Sequence, residues 1–163
     1  MRRWLVLATT HLAVLALGFA AGIYALPILT APAAPDADVL DRVAAETLYA
    51  GRFVRDLRGS NRLHWGEGEV RVSRNHIAHF GRLAPGPDYK LYLAPRFVDT
   101  EEAFLRVKDV SRRVGDVKTF NGFLVDVPTG IDVRDYNTVV IWCESFGQFI
   151  SAAEYQASRL SRE

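Results

Sequence analysis

The chain has 163 residues, with 20 Lys and Arg against 19 Asp and Glu, and a single cysteine. Charge this evenly balanced, with no basic run or stripe, excludes the electrostatic footprint of a nucleic-acid binder, so no nucleic-acid partner is expected. One thiol permits no internal disulfide, and packing must hold the fold together in whatever redox compartment it occupies. With the N-terminal segment set aside, about 125 residues remain, enough for one core but not for two.

Met1-Arg2-Arg3 precedes an uncharged stretch from Trp4 to Ala34 whose apolar part runs from Trp4 to Leu29. This exceeds the roughly 20 residues that cross a bilayer as a helix and the about 7–15 apolar residues of a cleavable signal. The reading is an uncleaved signal-anchor over residues 1–30. Ala31-Pro32-Ala33 resembles an A-x-A cleavage site, so a processed, secreted form is the competing reading. Two arginines before the segment and none directly after it put the N-terminus in the cytoplasm. The expected arrangement is single-pass in the cell inner membrane, with the C-terminal domain facing the periplasm. The lipid bilayer is then one partner, and a protein of unknown identity is the other. Gly18 and Gly22 have small-xxx-small spacing, which in one sequence is mostly coincidence rather than a dimer face.

Pro27, Pro32 and Pro35 among alanines predict a stiff spacer that does not continue a helix. Asp36–Leu48 reads as a short stalk helix, with Leu40, Val43, Ala44, Thr47 and Leu48 at helical spacing. Residues 31–48 are therefore the linker, and residues 49–163 the globular domain.

From Tyr49 the character changes to short runs separated by turn residues. Strands are expected at Gly51–Val54, Glu69–Ser73, His76–Leu83 and Tyr89–Leu93, with turns at Arg58–Asn61 and Gly86–Asp88. Asp99 is expected to cap a helix heading toward Val107, with Glu102 three residues on. Asn121-Gly122 between Val114–Phe120 and Phe123–Val127 is the strongest short hairpin signal. Thr138–Phe146 is the most apolar run outside the N-terminus. As a strand it puts Val139, Ile141 and Cys143 on one face and Val140, Trp142 and Glu144 on the other, which predicts a central strand. Ser151–Glu154 has a capping-box pattern that predicts a C-terminal helix with Tyr155 and Leu160 inward. These elements make the domain mainly β, an antiparallel sandwich or barrel with short helices.

Chemistry is sparsely signalled. Cys143 is the redox candidate, and its competing reading is a small core hydrophobe, which its strand face favours. Two-electron disulfide chemistry needs a second sulfur. A low thiol pKa needs a cation or helix N-terminus nearby, whereas Glu144 next to it would raise the value. His64, Trp65, Glu67 and Trp142 are candidate neighbours of a site, and His64 and Glu67 lie in a flexible stretch where they could meet. His76 and His79, three apart on a strand, point to opposite faces and make poor joint ligands. No zinc, haem-attachment, P-loop, dinucleotide or G-x-S-x-G signature is present, so no catalytic residue, metal ligand or cofactor is assigned.

The residues from about Tyr49 to Tyr155 resemble the DM-thirteen domain, also called the electron transfer DM domain. The likeness rests on Gly51-Arg52-Phe53, His64–Gly68, Gly86–Leu93, Gly115–Lys118, Tyr136–Cys143 and Phe146–Ala153. The membrane-anchored arrangement resembles bacterial members. The resemblance implies a β-sandwich-like module whose cysteine, here Cys143, has been proposed as redox-active. Animal and plant relatives carry it beside haem-binding and cytochrome domains, and no such companion stands in this chain. Two functions follow for testing: a non-enzymatic, membrane-tethered interaction module with Cys143 structural, and a redox accessory protein in which Cys143 is a thiol or cofactor-linked relay.

Overall fold

The computed structural model describes residues 1–36, 38–40 and 45–156. It opens with α1 (Arg2–Thr30), which buries none of its residues. The helix is long and apolar enough to cross a membrane. Its threonines and histidine bond its own backbone: Thr9 Oγ1 donates to the Leu5 carbonyl, Thr10 Oγ1 to Leu7, Thr30 Oγ1 to Leu26, and His11 Nδ1 lies 2.8 Å from the Leu7 carbonyl oxygen. Such back-bonding lets hydroxyl and imidazole groups sit in a helix surrounded by hydrocarbon. Pro27 lies inside α1 instead of ending it. In the last turn and a half a proline removes one intrahelical bond and displaces little, so termination waits for Pro32, before which Ala31 turns extended (ψ 132°).

Of the expected stalk helix, residues 38–40 are helical, Leu40 is buried, and the Leu40 N–H bonds the Asp36 carbonyl; residues 37 and 41–44 lie outside the described set, and residues 45–48 are turn, coil and bend instead of helix, the Leu48 N–H already bonding the Val72 carbonyl. Among the described residues the domain that follows has eight strands: β1 (Tyr49–Phe53), β2 (Gly66–Val72), β3 (His76–Leu83), β4 (Tyr89–Ala94), β5 (Arg112–Val117), β6 (Phe123–Asp126), β7 (Thr138–Cys143) and β8 (Gln148–Glu154). They form two antiparallel four-stranded sheets, ordered β1-β2-β3-β6 and β5-β4-β7-β8. The first sheet contributes Phe53, Val70, Val72 and Ile77 to the core between the sheets, and the second contributes Leu91, Leu93, Val139, Ile141 and Cys143. The fold is the expected antiparallel sandwich.

β7 is central, with β4 on one side and β8 on the other, and all six of its residues are buried. One face enters the intersheet core. The other, Val140 and Trp142, meets Tyr92, Phe104 and Phe149 in a second apolar cluster. That cluster is roofed by α2 (Glu101–Leu105), so a strand buried on both faces shows no polar alternation.

Three expectations are corrected. Thr100, not Asp99, caps α2, its Oγ1 accepting from the Ala103 N–H; Asp99 instead holds Arg58 through two charge-assisted bonds of 2.6 Å each. Asn121-Gly122 does not close a hairpin, because β5 pairs with β4 and β6 pairs with β3. The turn carries the chain from one sheet to the other. Gly122 sits at φ +86°, and the Phe120 carbonyl accepts from the Leu83 N–H across the gap. Ser151–Glu154 is strand, not helix: β8 pairs along β7 from Gln148 to Glu154, with one bulge opposite Ile141/Trp142. Ala152 lies in the outer cluster and Ala153 in the core, so both faces of the segment are engaged, and cross-strand burial overrides the capping pattern. Leu160 lies outside the described residues.

Candidate functional site

Cys143 closes β7 and pairs with Tyr89 of β4 on one side and Gln148 of β8 on the other. It is 3% exposed. Beyond it the chain turns sharply through Glu144–Gly147, where Gly147 at φ +59° makes the left-handed step that returns the chain into β8. The Glu144 N–H bonds the Asp88 carbonyl, tying this turn to the start of β4.

At this end of the sandwich lies an apolar pocket of ≈ 200 Å³. Cys143, Tyr89 and Ile150 form its floor side, with Leu63 and His64 from the loop before β2, Pro85–Pro87 from the loop before β4, and Phe146 from the β7–β8 turn. Ala20, Ile23 and Tyr24 of α1 complete the lining. Burial pushes the Cys143 thiol above its ordinary pKa. The nearby Asp88 carboxylate adds to the rise, while backbone hydrogen bonds from Phe146, Asp88 and Ser145 oppose it. The upward direction is the expected one, but its carboxylate is Asp88 and not Glu144. A thiol held protonated in an apolar pocket is a poor nucleophile at neutral pH.

Glu144 turns to the outer face. It accepts from Tyr92 Oη and from Lys108 Nζ (2.7 Å), and Lys108 lies 5.1 Å from the Trp142 ring centre. Burial alone would raise the Glu144 carboxyl, but its bonds to Lys108 and Tyr92 bring it below the usual value. Burial, reinforced by Glu144, raises the Tyr92 phenol. Asp88, in the turn expected at Gly86–Asp88, is held low by Lys90 (2.6 Å) and by the Ser145 hydroxyl (2.8 Å). The available sequence signal was Lys90 two residues on, which on a strand shares a side with Asp88.

Of the candidate neighbours, His64 alone lines the pocket with Cys143. Asn61 Nδ2 donates to His64 Nδ1 (3.0 Å), which leaves the proton of the neutral ring on Nε2, and partial burial lowers the His64 pKa. Trp65 lies under the Arg55 guanidinium at 3.6 Å. Glu67 pairs with the same arginine at 3.5 Å. Trp142 is on the opposite face of β7, packed against Phe104. His76 and His79 do diverge: His76 faces Asp126 at 3.5 Å, and His79 is fully buried between Phe53 and Phe123. Among the described residues no three of His, Cys, Asp and Glu converge as a metal-binding group.

A family model described as Electron transfer DM13 matches residues 57–155, more than half of the chain. The chain belongs to the electron transfer DM13 family. Every pocket residue outside α1 lies within the DM13 match, from Leu63 to Ile150. β1 lies ahead of it, yet it completes the first sheet and contributes Phe53 to the core, so the folded DM13 unit here is longer than the matched span. No curated protein matches the chain, and no solved structure does.

Proposed function

We propose that this DM13 chain is a membrane-tethered, extracytoplasmic interaction module, non-enzymatic, in which Cys143 packs the core. The carrying observation is the lone thiol, 3% exposed on the inner face of the central strand and shifted toward its protonated form. Tethering is supported by α1, apolar on all sides with no residue buried in the protein. Arg2 and Arg3 ahead of α1 favour an N-terminus in the cytoplasm and the domain in the periplasm.

The redox reading has one observation in its favour beyond the family description: Cys143 shares its pocket with His64 and Tyr89. Thiol modification of the folded chain at neutral pH separates the two. Slow or absent reaction until denaturant is added supports the packing role, and rapid reaction of native Cys143 supports the relay. An absorbance spectrum and metal analysis of the same preparation test for a bound chromophore or ion.

A further inference from the structure

The pocket end of the sandwich bears two large apolar side chains that remain exposed with α1 in place: Leu63 at 60% and Phe146 at 54%. Both are presented by built turns. Asn61 Oδ1 accepts from the Leu63 and His64 N–H groups, and the Gly147 N–H closes the Glu144–Gly147 turn on the Glu144 carbonyl. Both line the same pocket as Ala20, Ile23 and Tyr24 of α1.

The level of those α1 residues is set by helix geometry. From Trp4 to Tyr24 the helix rises about 30 Å, the thickness of the hydrocarbon core. Trp4 and Tyr24 are then the two interfacial aromatics, with Arg2 and Arg3 beyond the inner one. Ala20 and Ile23 fall just inside the outer boundary, so side chains that touch the same pocket meet the outer interface as well. The opposite end of the sandwich has another character, with exposed Thr129 and Gly130 and the Asp132–Arg134 ion pair.

We propose that the end of the domain bearing Leu63 and Phe146 is a second membrane contact, seated in the outer interfacial layer beside α1, so that the mouth of the Cys143 pocket opens toward lipid. The inference rests on the anchor reading above. The apolar patch continues an existing contact with α1, and lipid covers what α1 leaves bare.

The test is nitroxide accessibility in the full chain, reconstituted in phosphatidylcholine vesicles with and without phosphatidylglycerol. Single labels are placed by Leu63→Cys, Phe146→Cys, Thr129→Cys and Leu15→Cys in a Cys143→Ala background. They are repeated with native Cys143, whose burial keeps it from labelling, in case the alanine variant folds poorly. Expected is a ratio of oxygen to nickel-chelate accessibility at 63 and 146 several-fold above that at 129 in both lipids, with 15 higher still. Water-like values at 63 and 146, equal to 129 while 15 remains lipid-exposed, overturn the inference and leave the anchor standing. A water-like value at 15 overturns the anchor and the inference with it.

Discussion

His79 sits between the Phe53 and Phe123 rings, with centroids 5.1 and 5.0 Å away, and is fully buried. Its Nε2–H donates to the Glu67 carbonyl at 3.0 Å, while Nδ1 has no partner. Burial lowers its pKa from 6.5 to about 4. Protonation would place an unpaired cation between two aromatic rings, which is why the native ring stays neutral. An unfolded chain binds this proton near pH 6.5 and the native protein only near pH 4. Stability is therefore complete above the unfolded value and is lost as pH falls toward the folded one. The whole shift corresponds to about 3 kcal/mol, of which about 2 kcal/mol is lost between pH 7.5 and 5. Urea unfolding of the full chain in non-ionic micelles, followed by tryptophan fluorescence, to which Trp65 and buried Trp142 of the domain contribute, measures it. His79→Gln keeps an N–H for Glu67 and removes the titration. It should be less stable than the parent at pH 7.5 but flatter with pH by about 2 kcal/mol over that range. His64 is shifted in the same direction and acts equally in both proteins, so it cancels. Identical pH dependence in parent and variant would refute the reasoning.

Other consequences follow from packing. Phe104→Ala empties the space between Tyr92 and Trp142 under α2 and should cost about 3–5 kcal/mol in the same urea assay, with α2 the first segment to lose hydrogen-exchange protection. Gly81→Ala would drive a Cβ into the Glu67 carbonyl and to 2.7 Å from Gly68 Cα, so a loss of about 1–3 kcal/mol is expected by thermal melting. Cys143→Ala should retain the fold at a cost of about 1–2 kcal/mol. Cys143→Ser should cost no more than the alanine variant, because the backbone N–H groups of Phe146, Asp88 and Ser145 that bond the sulfur can bond a hydroxyl as well. A serine variant melting well below the alanine one would show that those groups do not serve the side chain.

The sequence read most truly where a residue's fate depends on strand period alone. Val139, Ile141 and Cys143 face the core and Val140 and Trp142 face away, as two-residue alternation requires. His76 and His79 diverge for the same reason. Local signals failed where partners distant in sequence decide. Asn121-Gly122 has hairpin chemistry, but β5 and β6 are claimed by β4 and β3. Ser151–Glu154 has a helix-cap pattern, but β7 supplies a full ladder. Asp99 looks like a cap until Arg58, 41 residues earlier, takes its carboxylate. The same limit holds at the pocket. Adjacency of Glu144 to Cys143 in the chain suggested a neighbouring charge, yet alternation turns Glu144 outward to Lys108, and Asp88 on the neighbouring strand's approach faces the thiol instead. His64 reaches the pocket through a loop, and loop placement is set by the sheets it joins rather than by its own residues.

Everything said of Cys143 reduces to whether its sulfur meets solvent in the native protein, and the rate of reaction with an aromatic disulfide reagent reads that directly. With the full chain in micelles at neutral pH, modification should be limited by unfolding, slowing as stability rises and becoming complete at once in denaturant. Stoichiometric reaction of the native protein at the rate of a free thiol, unchanged by stabilising or destabilising substitutions, would contradict the buried, structural assignment.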